Sequence, residues 1–303
     1  MNSKNTEDKI ITECSADKIE TGESFFSMWK EMLWDVYLYR ELLLEMFKRD
    51  IRVKYKQAIL GYFWTLFMPS MVVFSGFVIK YVMATISGSS FTMDTFAIMS
   101  VKAVAWSFFI GSTVAAANSL VGNIGLITKI YFPREVFPMS CFISNSFDFA
   151  IGSASLLAIL ICVHKISWTL NLLWVPVLFV LMVMLGLAIG MFFSCEMVFY
   201  RDVRYILGLI TSYGIFYTPI FFEPNQLGQY GILVMLNPIS PILEGFRLVI
   251  VDGHNILTPL ADAAGVTVWQ PWYLAYAAAF AVLSLFFSWM HFHKSEFLYA
   301  EYI

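Results

Sequence analysis

Charge is scarce in this chain. Only 14% of its 303 residues are Asp, Glu, Lys or Arg, against about 25% in soluble domains. Hydrophobic residues make up 59%, and the mean hydropathy is +0.71. That balance excludes a soluble enzyme built around a large core. There is no Gly-x-x-x-x-Gly-Lys-Ser/Thr loop and no Gly-Lys pair anywhere, so the chain cannot cradle nucleotide phosphates on a P-loop. It has no Asp-x-Asp pair for a metal-bound sugar nucleotide, and no Ser/His/Asp cluster on a loop; an enzymatic function therefore has no visible centre. The cysteines, Cys14, Cys141, Cys162 and Cys195, lack Cys-x-x-Cys spacing, and three of them sit in apolar runs, as small buried hydrophobes do. No basic stripe marks a nucleic-acid partner. The formal charge of -3 says little, because membrane proteins segregate charge by side rather than by total.

What the chain does have is long apolar runs. Six stretches, at about 60–83, 97–121, 139–163, 173–195, 205–223 and 272–292, each hold enough residues to cross a bilayer, for which about 20 are needed. Backbone at bilayer depth must satisfy its own hydrogen bonds, so these are expected to be helices rather than barrel strands. The expected fold is an all-α membrane protein with six transmembrane helices. Residues 1–24 are polar, with no apolar core and no cleavage pattern; they read as a disordered cytoplasmic tail rather than a signal peptide. The transmembrane domain then covers 25–303. Residues 25–47 alternate apolar Phe25, Trp29, Met32, Val36, Leu43 and Phe47 with charged Glu31, Asp35, Glu41 and Glu45, the pattern of an amphipathic helix lying in the headgroup plane.

Basic residues set the orientation. Lys48, Arg49, Arg52, Lys54 and Lys56 precede the first span, Lys129 and Arg134 follow the second, Arg201 and Arg204 follow the fourth, and Lys294 follows the sixth. Lys80, Lys102, Lys165 and Arg247 fall on the opposite side. Both termini are expected in the cytoplasm. The segment 224–271 is too apolar for a solvated linker. Two short apolar runs, 231–236 and 242–251, flank Asn237-Pro238-Ile239-Ser240-Pro241. Half-helices around a proline break are what a re-entrant element looks like, and this one is read as a periplasmic or extracellular gate between spans five and six.

Polar residues inside the spans are few. Asp148, near the middle of span three, is costly at that depth and is expected to face the bundle and pair with a neighbouring helix. His291 and His293 end span six as His-x-His, without carboxylate or cysteine partners nearby in sequence, so no metal site is expected. Pro133 and Pro138 bracket a short rigid element carrying Lys129, Phe132, Arg134 and Glu135. Arg201, Asp202 and Arg204 form a second cluster able to pair with carboxylates. Arg49, Asp50 and Arg52, with Lys56 and the small Gly61, mark the corner before span one.

Taken in order, these stretches resemble a family. They are Arg49-Asp50-Ile51-Arg52 through Lys56, Leu60-Gly61 with Trp64, and Pro69 in span one. Asn118 through Pro138 follow, then Tyr200-Arg201-Asp202-Val203-Arg204, Thr218-Pro219-Ile220, Asn237-Pro238 and Phe246-Arg247. Over about residues 45–292 the chain is similar to the permease subunits of ABC-2 type transporters that export O-antigen, capsule or teichoic-acid polymers. Glu196 departs from the small or apolar residue that the pattern holds there.

The resemblance implies a homodimer in the bacterial inner membrane, with two copies of a cytoplasmic ABC ATPase beneath it. This chain itself would hold no cofactor; ATP and Mg would be held by the ATPase. The cargo would be a lipid-linked polysaccharide, moved outward through membrane lipid. On that pattern Lys129, Phe132, Pro133, Arg134, Glu135, Arg201, Asp202 and Arg204 would couple to the ATPase. Pro219, Asn237, Pro238 and Arg247 would belong to the gate. Sugar C–H surfaces pack on aromatic rings, which makes Phe67, Phe74, Phe108, Phe109, Phe216 and Tyr217 candidates to line a channel. Two other readings stay open: an exporter of the same fold for a small molecule or lipid, and a membrane glycosyl- or acyltransferase. The last would need acids or histidines clustered at one membrane face.

Overall fold

The computed structural model describes residues 36–56, 63–87, 93–127, 133–261 and 267–295, together with Lys30 and Trp34. The expected tail 1–24, the start of the interface helix, and Gly61, Lys129 and Phe132 lie outside the described residues.

The architecture is helical. Helix α1 (Arg40–Lys56) is the described part of the amphipathic segment. Helix α2 (Phe63–Ser87) follows, then α3 (Met93–Ala117) and α4 (Val136–Cys162). A 3₁₀ turn at Leu170–Leu173 leads into α5 (Trp174–Phe199), and α6 is Val203–Tyr213. Two short helices, α7 (Gly231–Met235) and α8 (Ile239–Ile250), precede the last, α9 (Pro271–Ser295). Two prolines sit where they cost least. Pro138 falls in the first turn of α4 and Pro271 opens α9, where a missing N–H has no intrahelical acceptor to lose.

Among the described residues, four segments are long and apolar enough to cross a membrane: Met93–Ala117, Val136–Cys162, Leu170–Phe199 and Pro271–Ser295. A 25-residue helix is about 37 Å long against a hydrocarbon core of about 30 Å. These apolar helices mark a multi-pass membrane protein; the described residues confirm four candidate spans and do not extend to the expected six. Helix α2 is equally long, but its described apolar stretch is Ser70–Val82. The expected fifth span is not one helix. Helix α6 ends at Tyr213, and a 3₁₀ turn, Gly214–Tyr217, carries the chain to Thr218, a rise of about 24 Å in all. Thr218-Pro219 ends it, as proline disfavours helix in the residue before it. A two-stranded antiparallel ribbon, β1 (Leu260–Ala261) with β2 (Thr267–Trp269), is the only strand pairing among the described residues. It is pinned by the Trp269 indole N–H, which donates to Ile256 O at 2.7 Å.

Helices α3, α5, α8 and α9 form the core. Leu178, Met182 and Leu185 of α5 are fully buried, as are Ile242, Leu243 and Leu248 of α8 and Ala277 and Ala281 of α9. Two glycines four residues apart, Gly186 and Gly190, let α5 approach its neighbours. A Cβ built on Gly190 would stand 2.7 Å from the Ala116 Cβ of α3, and one on Gly186 would stand 2.8 Å from the Phe142 ring of α4. Small residues at this spacing are how apolar helices pack where lipid removes the hydrophobic drive.

The methyl of Ala116 cannot rotate aside, so Gly190→Val is expected to destabilise the protein by about 1–3 kcal/mol, the cost of overpacking. Thermal unfolding in detergent checks this; an unchanged midpoint contradicts the close approach.

Candidate functional site

A buried charge cluster joins the short helix α8 to α3. Lys102 Nζ lies 2.6 Å from Glu244 Oε2, both side chains fully buried. Arg247, one turn along α8, brings its Nε to 2.6 Å from Glu244 Oε1. Its Nη1 reaches Asp252 Oδ2 at 3.1 Å and Glu223 Oε2 at 3.5 Å, while Nη2 has no hydrogen-bond acceptor among the described residues. Every residue of α8 is buried. Gly245 makes this possible, because a Cβ there would meet Leu178 of α5 at 2.9 Å. Burial pushes the Asp252 carboxyl above its ordinary range, against the pull of Arg247. Nearby, Tyr276 Oη donates to Leu236 O at 2.9 Å, Asn237 Nδ2 to Tyr217 O at 3.3 Å, and Lys80 Nζ to Gln226 at 3.3 Å. The 224–250 segment is thereby tied to α9, to the turn after α6 and to α2.

The sequence placed Lys102 and Arg247 among the charges of one membrane side. The structure puts both in the protein interior, facing an acid that sequence reasoning passed over. Spacing held the signal: Glu244 and Arg247 are one helical turn apart in an otherwise apolar run, and a lone Lys102 inside a span needs a counter-charge.

The opposite end of the bundle is where α4 begins and α5 and α9 finish. Glu135, a candidate coupling residue, is buried and lies 2.9 Å from His293 Nδ1. Glu196 Oε1 lies 2.9 Å from His291 Nε2. The His-x-His pair thus has the carboxylate partners that its sequence neighbourhood lacks, and acids and histidines do gather at one face. Arg201, Asp202 and Arg204 follow α5 at this same end and are exposed, while Pro133 and Arg134 are half-buried.

Helix α1 is anchored by Asp148, near the middle of α4. That carboxylate takes an ion pair from Lys54 and a hydrogen bond from Tyr55, and Lys54 also reaches Asn145 at 3.3 Å. Phe47 meets Phe147 edge-on at 6.5 Å. The expected interhelical partner of Asp148 is therefore the amphipathic helix. Of the corner residues, Arg49 pairs with its neighbour Asp50 at 2.8 Å, and Arg52 and Lys56 are exposed. On the exposed face of α1, Lys48 holds the Glu45 carboxyl below its usual range through a 2.7 Å hydrogen bond.

The candidate channel aromatics divide. Phe108 and Phe109 are buried; Phe108 packs on Phe149 at 4.8 Å and on Phe179 at 5.4 Å. They fill the core of the chain because α3 is its central helix. Phe74, Phe216 and Tyr217 are exposed. Phe67 and Phe74 line a cavity of about 390 Å³ that α2, α3 and α4 enclose, with Phe77, Ser100 and Gly152. Of the gate candidates, Pro219 is buried and Asn237 and Pro238 are half-buried.

Removing one partner from a buried pair leaves an uncompensated charge, at about 3–5 kcal/mol. Glu244→Gln is expected to destabilise by about that much. Lys102→Met combined with Glu244→Met should lose less than the sum of the two single changes. A double-mutant cycle in detergent reads the coupling, and strictly additive losses would contradict the buried pair.

No protein-family model matches the chain. Curated relatives do. An O-antigen export system permease, RfbA, of Myxococcus xanthus is 23% identical over 243 residues, 78% of this chain and 91% of that protein. Two RfbA permeases of Klebsiella pneumoniae, named in the same words, are 24% and 22% identical, each over 72% of this chain and 82% of their own length. Over most of its length the chain is thus similar to O-antigen export permeases, in agreement with the resemblance read from its motifs.

Proposed function

We propose that this chain is the membrane permease of an ATP-driven exporter that moves a lipid-linked polysaccharide outward across the bacterial inner membrane. The observation that carries the reading is the match to three O-antigen export permeases over most of the chain. The apolar helices supply the membrane scaffold.

In this reading both termini are cytoplasmic, and α2 and α6 complete six crossings. Helix α6 with its 3₁₀ extension is short for a span, and the 224–250 segment fills the depth above it. Helices α7 and α8 form the re-entrant element, and the Lys102–Glu244–Arg247 cluster seats it. The protomer interior is filled, so the path for cargo lies between two copies related by a two-fold axis. Exposed aromatic and aliphatic side chains on α2, α6 and the 3₁₀ turn after it, among them Phe74, Tyr205, Tyr213 and Phe216, suit a surface that faces a partner copy, lipid or glycan. A separate ATPase subunit supplies ATP hydrolysis with its Mg ion. It docks against the loop at Pro133 and Arg134 and the exposed Arg201-Asp202-Val203-Arg204 segment. Movement there passes through Glu135 to His293 at the foot of α9.

Deletion of the gene is expected to leave lipid-linked polymer made but held on the cytoplasmic leaflet. Unchanged surface glycan would instead favour export of a small molecule or lipid, and complete loss of polymer would favour a synthetic role. Arg134→Ala should lower export at least several-fold without altering the thermal midpoint. Normal export together with normal stimulation of the partner ATPase would overturn the coupling assignment.

A further inference from the structure

At the foot of the bundle, α5 and α9 run parallel and finish together. Cys195 and Glu196 lie in the last turns of α5, and His291 lies in the last turns of α9. The Cys195 thiol, a Glu196 carboxylate oxygen and an imidazole nitrogen of His291 all lie within 4.8 Å of one another. From these three residues we propose a binding site for a divalent transition metal of the zinc class, one that clamps the ends of α5 and α9.

The donor set decides the class of ion. A thiolate, an imidazole and a carboxylate form the mixed sulfur, nitrogen and oxygen set that zinc accepts, with a fourth position left to water. The carboxylate disfavours copper(I), and the thiolate disfavours magnesium and calcium. Ligand atoms about 2.0–2.3 Å from a tetrahedral ion lie roughly 3.5 Å apart, so the observed cluster needs only a small contraction. The Glu196–His291 contact is already 2.9 Å.

Burial suits the role. Cys195 is fully buried, while Glu196 and His291 are half-buried, which leaves a route for the ion from one side. Phe192 packs against the His291 ring at 5.8 Å and restricts its rotation. Metal binding would release the thiol proton to solvent and exchange the Glu196–His291 hydrogen bond for two metal bonds. His293 lies outside the set, because its ring is taken by Glu135. The site is independent of what the permease carries.

The competing account is a Glu–His hydrogen bond beside an inert buried thiol, so the test must read the sulfur. The full-length protein is purified in detergent without a polyhistidine tag, and its zinc content and affinity are measured. Cobalt(II) is then added as a spectroscopic probe. The proposal expects one zinc per chain and, with cobalt, a thiolate-to-metal charge-transfer band in the near ultraviolet. Cys195→Ser and His291→Ala should abolish that band and weaken zinc binding by about 100-fold or more, since loss of an outer-shell partner alone costs 10–100-fold. His293→Ala should bind zinc as the unsubstituted protein does. If Cys195→Ser does not fold, the triple variant Cys14→Ala, Cys141→Ala and Cys162→Ala should keep the band. Absence of the band in the unsubstituted protein overturns the site, as does zinc binding that survives Cys195→Ser.

Discussion

The seat of helix α8 is the interaction on which this structure most depends. A twelve-residue helix with every side chain buried carries one acid and one base into the interior, and both must be matched there. Lys102 of α3 matches the acid, while Asp252 and Glu223 at the far side share the base. Isolated, any one of these charges would be prohibitive in an apolar interior. Together they fix the depth and rotation of α8 between α3, α5 and α9 in a way that apolar packing alone does not. Leucine and isoleucine can slide past one another by a turn at modest cost, whereas a displaced Glu244 loses Lys102 and Arg247 at once.

The two ends of the bundle are held by different means. At one end, turns and the β-ribbon knit the connections together through backbone groups: Ser167 donates to Val251 O at 2.6 Å and Asn171 to Gly253 O at 2.7 Å. At the other, side-chain pairs between Glu135 and His293 and between Glu196 and His291 tie the start of α4 and the end of α5 to α9. Both pairs converge on the last two turns of a single helix. In the proposed exporter, a displacement at the start of α4 would reach α9 through the Glu135–His293 hydrogen bond rather than through a flexible linker.

Long apolar runs were legible in the sequence because length and hydropathy are local properties, and the four spanning helices lie within a few residues of their expected ranges. Breakage of the fifth run was less legible. Hydropathy continues through Thr218-Pro219, but backbone geometry does not. The partners of Asp148, Lys102 and the two histidines were out of reach for another reason: each lies roughly 90 or more positions away in the chain, and neither periodicity nor spacing reports contacts of that range. The expectation that a buried charge must have a partner was sound, but the identity of the partner was fixed only by the fold.

Phe108 and Phe109 show why depth alone does not assign a role. At mid-span, an aromatic that lines a pathway and one that fills a core have the same sequence context. These two sit on α3, which is enclosed by α2, α4, α5 and α8, so Phe108 packs on Phe142, Phe149 and Phe179 and Phe109 on Trp106 within the chain. Among the described residues the interior is occupied by such rings and by α8. The proposed path for export therefore takes the outer faces, where Phe74, Phe216 and Tyr217 are exposed. In the proposed exporter, a path between two copies would leave intact the close packing that holds α8 in place, which a polymer-sized channel opened within one copy would break.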